Sequence, residues 1–367
     1  MGIDASNVSI DMNTLQEWKG GIVKKLTGGV GQLLKGNKVT VMRGTARVDG
    51  PGQVTVEKPD GTHETLTCKA VVIATGSKPL EIPGFAFDHE NVLDSTSALN
   101  LSTIPKHLVV IGGGYIGLEL GGTFGRLGGK VTVVEMMDQL LPGFDKALVR
   151  PVQKNLKAHG TDILLRTRAK GWKKSNDGLI CEVEGTDGKA QSIECDKILV
   201  TVGRKPYTAD LGLDKAGVQV DERGFIPTSD TLETNVPGIY AIGDVTHGLM
   251  LAHKASKEAE VVAEVIAGKD VIYDARCIPA VVFTEPEVSS VGLTEAEAKE
   301  KGYTVSVGKY PFAGLGRAMT TGETEGFVRV IVDGKTKELL GVQIVGPEAS
   351  DLIAEAALAI EMGAFAD

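Results

Sequence analysis

The run Leu108-Val109-Val110-Ile111-Gly112-Gly113-Gly114-Tyr115-Ile116-Gly117 decides the fold. Its four apolar residues read as a buried strand, and the glycines that follow keep the G-x-G-x-x-G spacing. Gly112 permits the tight turn, Gly114 lets the backbone approach a pyrophosphate, and Gly117 lets the next helix pack on the strand. The N-terminus of that helix offers N–H groups and a partial positive charge. Leu118–Leu127 then reads as the helix and Lys130–Glu135 as a second strand. Glu135, 23 residues beyond Gly112, is placed to accept hydrogen bonds from adenosine ribose hydroxyls. Met136-Met137-Asp138-Gln139 follows without an Arg or Lys for a 2′-phosphate, which favours NAD(H) over NADP(H). The competing reading is a tight strand–helix turn in an unrelated α/β protein.

Around this motif lie 367 residues, enough for two or more domains at ~150 residues each. Glycine contributes 47 of them, about 13% against a typical ~7%, mainly in tight turns after apolar runs. Aromatic residues are 5%, too few for a binding surface built on stacking. A net charge of −9 argues against a nucleic-acid partner. No apolar run approaches the ~20 residues of a membrane span, and no secretory signal is visible. Met1–Ser6 fits the N-myristoylation pattern, but no polybasic second anchor follows. Cys68, Cys181, Cys195 and Cys277 form no metal or Cys-x-x-Cys spacing and read as buried free thiols in a reducing cytoplasm.

The chain divides into four segments. Residues 1–104 open with an amphipathic helix over 1–35, then a small antiparallel meander (Val39–Arg47, Gln53–Glu57, Glu64–Lys69) and a buried strand at Ala70–Ala74. Residues 105–230 form the dinucleotide-binding unit, with βαβ-like material reaching Lys197–Val202. Residues 231–274 return to the first part through a strand at Gly238–Ile242 and a helix at Leu251–Ala267. Residues 275–367 read as antiparallel strands with helices at Thr294–Lys301 and Ser350–Met362.

Two further strand ends carry chemistry. Gly238–Ile242 delivers Gly243-Asp244, and Asp244 reads equally as a helix cap or as an acceptor for a sugar or ribitol hydroxyl. Val71–Ala74 ends in Thr75-Gly76-Ser77, a small-residue turn. Glu119 reads as facing a nicotinamide ring or as a solvated helix carboxylate. For His253 a capping or packing role outweighs proton transfer, and the other histidines read as surface residues. The Lys/Glu runs at Lys254–Glu260 and Glu295–Lys301 read as solvated helix faces. No metal-ligand spacing is present.

The motifs occur in a telling order: Ala74-Thr75-Gly76-Ser77, the glycine loop through Glu119, Val202-Gly203-Arg204-Lys205-Pro206, Ile239-Tyr240-Ala241-Ile242-Gly243-Asp244, and Met250-Leu251-Ala252-His253-Lys254. With Thr284-Glu285-Pro286-Glu287-Val288 and Gly341-Val342-Gln343-Ile344-Val345-Gly346-Pro347, this order resembles the flavoprotein disulfide reductases built on two dinucleotide-binding domains. Within them it is most similar to the dihydrolipoyl dehydrogenase family. The resemblance implies a Rossmann-like, three-layer α/β fold with an α+β interface domain that makes a homodimer. It implies NAD on Gly112, Gly113, Gly114, Tyr115, Ile116, Gly117 and Glu119, with Glu135 on the ribose and Ala169 and Gly203 lining the adenosine and nicotinamide sides. FAD would meet Ala46, Thr75, Gly76 and Ser77, with Asp244 on the ribitol and Met250, Leu251, Ala252 and His253 beneath the isoalloxazine.

The family's reaction, dihydrolipoamide plus NAD⁺ to lipoamide plus NADH, implies a lipoyl domain or dihydrolipoamide of a 2-oxo acid dehydrogenase complex as partner. It places the protein in the cytoplasm, or in the mitochondrial matrix of a eukaryote. Members also carry an opening G-x-G-x-x-G for the FAD pyrophosphate, a redox C-x-x-x-x-C and a terminal His-Pro. None has a counterpart here, so the first and last domains are expected to be truncated, and no catalytic residue is assigned. An inactive NAD-binding remnant and an NADH-dependent flavin reductase (a diaphorase) are the alternatives.

Overall fold

A computed structural model describes residues 8–366, so the myristoylation pattern and the first residues of the expected opening helix lie outside the described residues. The chain forms two compact units, one of residues 1–78 and 204–274 and one of residues 79–203 and 275–367.

The second unit is built on a five-stranded parallel sheet in the order Val92–Leu93, Lys197–Val200, His107–Ile111, Lys130–Val134, Asp162–Leu164. Alternation along the central strand explains its layers. Leu108 and Val110 point into one core with Leu118 and Phe124 of the helix Tyr115–Arg126 and with Leu148 and Val152 of the helix Lys146–Ala158. Val109 and Ile111 point the other way, against Leu179, Cys181, Val183 and Ile193. Those last residues belong to a three-stranded antiparallel meander, Thr167–Ser175, Gly178–Gly185 and Ala190–Cys195. Of the stretch expected to be βαβ-like, the helix Lys146–Ala158 and the parallel strand Asp162–Leu164 bear the expectation out, whereas residues 167–195 cover the sheet with a second sheet instead of helices. The strand Val92–Leu93 and the helix Ser95–Leu99 lie ahead of the expected start at residue 105, yet that strand pairs in parallel with Ile198 and Leu199.

The last segment of this unit is a five-stranded antiparallel sheet in the order Ala280–Val282, Glu287–Gly292, Leu339–Gly346, Phe327–Asp333, Val305–Pro311. The strand Glu287–Gly292 and the short helix Gly316–Thr321 were not expected from the sequence. Val291, Val342 and Ile344 face the helix Ala349–Glu361. Val288, Phe327 and Val345 face the other way and share one core with Leu148 and Val152. That common core is why residues 275–367 and the parallel sheet form a single unit.

The first unit holds the helix Met12–Gly36, the meander Thr45–Gly50, Gln53–Glu57, His63–Thr67, and the helix Ala252–Ile266. The first strand of the meander begins later than expected, because residues 37–44 form a turn and coil. Val71–Ile73 pairs in parallel with Ile239–Ala241, and Val48, Ile73, Leu213, Ile226 and Val245 close a core around the pair. Asp11 caps the first helix by accepting from the Asn13 N–H at 2.9 Å. Most of its apolar residues, Trp18, Leu26, Val30 and Leu33 among them, are exposed, Met12, Leu15 and Leu34 are half-buried, and no residue of the helix is buried.

Two expectations on single residues need correction. Of the thiols expected to be buried, Cys181 and Cys195 are, Cys277 is half-buried, and Cys68, just past a short strand end, is exposed. His107, expected at the surface, is half-buried with Nε2 2.8 Å from Thr132 Oγ1. Burial, with Lys130 nearby, pulls its imidazole below the usual range.

Candidate functional site

In the second unit the glycine loop is fixed by sterics. Gly112 has φ +105°, and a Cβ there would stand 2.6 Å from the Thr201 carbonyl oxygen. A Cβ on Gly117 would overlap the Gly112 carbonyl and lie 2.6 Å from Thr201 Oγ1. Gly114 differs: a Cβ built on it meets nothing within 4 Å. The protein itself therefore does not demand glycine at 114, and the open space lies at the helix N-cap, which no side chain caps. A pyrophosphate fits such a cradle, held by backbone N–H groups and the helix dipole.

Glu135 closes the loop. Its carboxylate is buried, with Oε2 accepting from the Gly113 N–H at 2.7 Å and Oε1 from the Met137 N–H at 2.7 Å. Each oxygen has a further lone pair, so ribose hydroxyls can be accepted in addition. Thr201 was missed in the sequence. Its buried hydroxyl reaches the Ile111 and Gly112 carbonyls at 3.3 Å each, and a Thr closing a strand before a Gly is the only signal. Arg166 was also missed, because it lies well beyond residues 136–139, which hold no cation. Its N–H donates to the Met137 carbonyl at 2.9 Å, and its guanidinium lies 4.0 Å from Asp138, which also pairs with Lys146 at 3.2 Å.

Glu119, one turn into the helix, is half-buried and accepts from the Phe283 N–H at 2.9 Å. Burial raises its carboxyl above the usual range, and that hydrogen bond opposes the shift only in part. Tyr115 is exposed and Ile116 half-buried on the first turn. Gly203, at φ +133°, accepts from the Leu80 N–H at 3.1 Å. Ala169 pairs with Val183 at a bulge in the meander and packs in the core beneath it.

In the first unit a separate polar cluster forms. Ser77 Oγ donates to Asp244 Oδ2 at 2.5 Å, and Arg204 donates to Ser77 Oγ at 2.7 Å and to its carbonyl at 2.8 Å. Thr75 Oγ1 donates to the Tyr207 carbonyl at 2.6 Å, and the Tyr207 N–H donates to the Gly76 carbonyl at 2.9 Å. Thr75, Gly76, Ser77 and Asp244 thus converge as expected, and a hydroxyl-rich chain such as ribitol fits this set of donors and acceptors. Arg204 was not singled out, though Val202-Gly203-Arg204-Lys205-Pro206 carried it. Ala46 is exposed on the meander opposite Val56, while Met250 and Leu251 lead into the helix that begins at Ala252 and His253.

One reading of this region is overturned. Lys254 and Glu258, expected on a solvated face, are 4% and 2% exposed and form an ion pair of 2.7 Å. Glu258 Oε2 accepts from the Gly243 N–H at 2.6 Å, and Lys254 donates to Thr246 Oγ1 at 2.8 Å and to the Gly243 carbonyl at 3.3 Å.

Comparison with known proteins gives a consistent answer. Residues 3–259 match the family described as pyridine nucleotide-disulphide oxidoreductase, and residues 278–367 match its dimerisation domain. A dihydrolipoyl dehydrogenase of Haloferax volcanii is 48% identical over 99% of this chain and 77% of its own length. One of Geobacillus stearothermophilus is 47% identical over 100% and 77%, and a mitochondrial one of Caenorhabditis elegans is 44% identical over 100% and 74%. Among solved structures, LpdA from Mycobacterium tuberculosis superposes with a TM-score of 0.90 at 25% identity, covering 98% of this chain and 79% of that one. The HOCl-induced flavoprotein disulfide reductase RclA from Escherichia coli gives 0.86 at 28%, covering 95% and 79%.

Proposed function

The chain belongs to the pyridine nucleotide-disulphide oxidoreductase family, and we propose that it serves the dihydrolipoyl dehydrogenase reaction, dihydrolipoamide + NAD⁺ → lipoamide + NADH + H⁺. It is an oxidoreductase, and its family uses FAD and NAD(H). The observation that carries the nucleotide assignment is the pairing of Glu135 with Gly113 beside the open cradle at Gly114. In this reading Gly112, Gly113, Gly114, Tyr115, Ile116 and Gly117 hold the dinucleotide pyrophosphate. Glu135 receives the adenosine ribose, and Ala169 and Gly203 line its two ends. Glu119 faces the nicotinamide side. Bound NAD⁺ supplies the hydride acceptor, and this chain's residues orient it and keep its ribose in register.

Asp244 and Ser77 would hold the ribitol hydroxyls of FAD, with Thr75, Gly76 and Ala46 beside it and Met250, Leu251, Ala252 and His253 under its ring. Bound FAD supplies the electron relay between thiol and nucleotide. Dihydrolipoamide, free or on a lipoyl domain of a 2-oxo acid dehydrogenase complex, is the proposed substrate. The match to a dimerisation domain supports a homodimer, as do the exposed apolar side chains Leu352, Leu358 and Met362 of the last helix and its end. Among the described residues no helix is long and apolar enough to cross a membrane, and the cytoplasm, or the mitochondrial matrix of a eukaryote, is the proposed compartment.

A second reading is NADH-driven reduction of soluble acceptors through the flavin, in which the buried thiols take no part. Burial pushes Cys181 and Cys195 to about 12 and Cys277 to about 11, so none of these three is a thiolate at neutral pH. One purification tests both readings by flavin absorbance, NADH-driven dye reduction and dihydrolipoamide oxidation. Flavin with all activities supports the full reaction. Dye reduction without dihydrolipoamide oxidation supports the second reading, and a protein that takes up neither nucleotide overturns both.

A further inference from the structure

The buried pair Lys254–Glu258 has no part in the sites assigned so far. An ion pair withdrawn from water loses more in desolvation than it regains unless its remaining hydrogen bonds are satisfied, and apolar replacements of like volume are often neutral or stabilising. Holding the helix Ala252–Ile266 in place does not require these charges, because Val261 and Val262 of the same helix already pack with Leu232. What the pair does hold is one residue, through the two peptide groups that flank it. Glu258 accepts the Gly243 N–H, Lys254 donates to the Gly243 carbonyl, and Lys254 also holds the Thr246 hydroxyl, which donates to that same carbonyl at 2.8 Å. Gly243, at φ +76°, immediately precedes Asp244.

We propose that Lys254 and Glu258 are positioning residues for the flavin: they clamp both ends of the Gly243 residue and so fix the direction of the Asp244 carboxylate. The network then runs without a break from Lys254 and Glu258 through Gly243 to Asp244, from Asp244 to Ser77 and from Ser77 to Arg204. Two buried charges that themselves touch no ligand thereby set how well a hydroxyl-binding carboxylate is aimed. This inference rests on the reading of Asp244 as a ribitol ligand.

The test compares the full chain with Asp244→Ala, with the apolar double variant Lys254→Met/Glu258→Leu, and with the polar double variant Lys254→Gln/Glu258→Gln. Each is stripped of flavin and titrated with FAD. Binding is followed by flavin fluorescence and the visible band, and melting is recorded without flavin. The apolar pair, which leaves the buried Gly243 N–H without its acceptor, is expected to melt below the parent yet still fold, and to bind FAD at least about tenfold more weakly, as Asp244→Ala does. The polar pair, still able to hydrogen-bond Gly243, is expected to stay within about threefold of the parent, which is rescue by a conservative change. Parental affinity in the apolar pair, or a polar pair as weak as Asp244→Ala, overturns the inference. The polar arm decides alone if the apolar variant does not fold. If Asp244→Ala also binds as the parent does, or the parent takes up no FAD, the flavin reading itself fails and the inference falls with it.

Discussion

Glu135 and Gly113 meet across the nucleotide loop, a buried carboxylate accepting a backbone N–H at 2.7 Å from a residue 22 positions earlier. A hydrogen bond to a charged group contributes about 1.5–3 kcal/mol, so the loop geometry and the proposed ribose contact depend on one side chain. Glu135→Ala is expected to weaken NADH binding at least about tenfold in a fluorescence titration. Glu135→Gln, which keeps one acceptor oxygen, should lose less. Unchanged affinity in the alanine variant would remove Glu135 from the site.

Gly117 and Gly114 separate folding from binding. Alanine at 117 gains up to ~1 kcal/mol of helix propensity but collides with backbone at Gly112 and with Thr201, an overpacking that costs ~1–3 kcal/mol. Gly117→Ala should therefore melt several degrees below the parent. Gly114→Ala meets no protein atom and changes only the N-cap, so its melting temperature should fall little while NADH affinity drops. Equal melting for the two variants would contradict the steric account.

Glu119 gives the pH dependence a sign. Its folded-state carboxyl is raised by burial above the ordinary value of about 4.3, so its effect on stability is most favourable below that value and declines as pH rises through the folded one. Glu119→Gln keeps an acceptor for the Phe283 N–H and removes the buried charge. Urea unfolding should show the variant at least as stable as the parent at pH 7, with a flatter profile between pH 4 and 7. A variant less stable at pH 7 than at pH 4, relative to the parent, would reverse the sign.

Thiol labelling should find a single fast site. Cys68 is exposed, whereas Cys181 and Cys195 are buried and about 12, and Cys277 is about 11. At pH 8 the native protein is expected to react with one equivalent of a disulfide reagent quickly, and Cys68→Ser should abolish that phase. A fast phase that survives in Cys68→Ser would place a reactive thiol elsewhere.

The glycine loop was legible because its constraints are local: an apolar strand, three spaced glycines and an acidic strand end lie within 30 residues. The meander over residues 167–195 was not, because its alternation of apolar and polar residues speaks for strands but does not say whether they pair with each other or with the parallel sheet. Lys254 and Glu258 read as solvated because charge is normally exposed. Their burial is decided by Gly243 and Thr246, which only the fold brings beneath the helix. Arg204 was visible in a motif, but its role depends on Ser77, 127 residues away. The apolar spacing of the first helix was plain, yet spacing predicts a face and not what covers it.

The parallel pairing of Val71–Ile73 with Ile239–Ala241 spans 168 residues. At a synthesis rate of ~5–20 residues per second, the earlier strand waits roughly 8 to 34 s for its partner to leave the ribosome. All five strands of the parallel sheet have been made by Val200, before Ile239 is added. The parallel sheet can thus be completed on the nascent chain while the other unit still lacks most of its core, Leu213, Ile226, Ile239 and Val245 included.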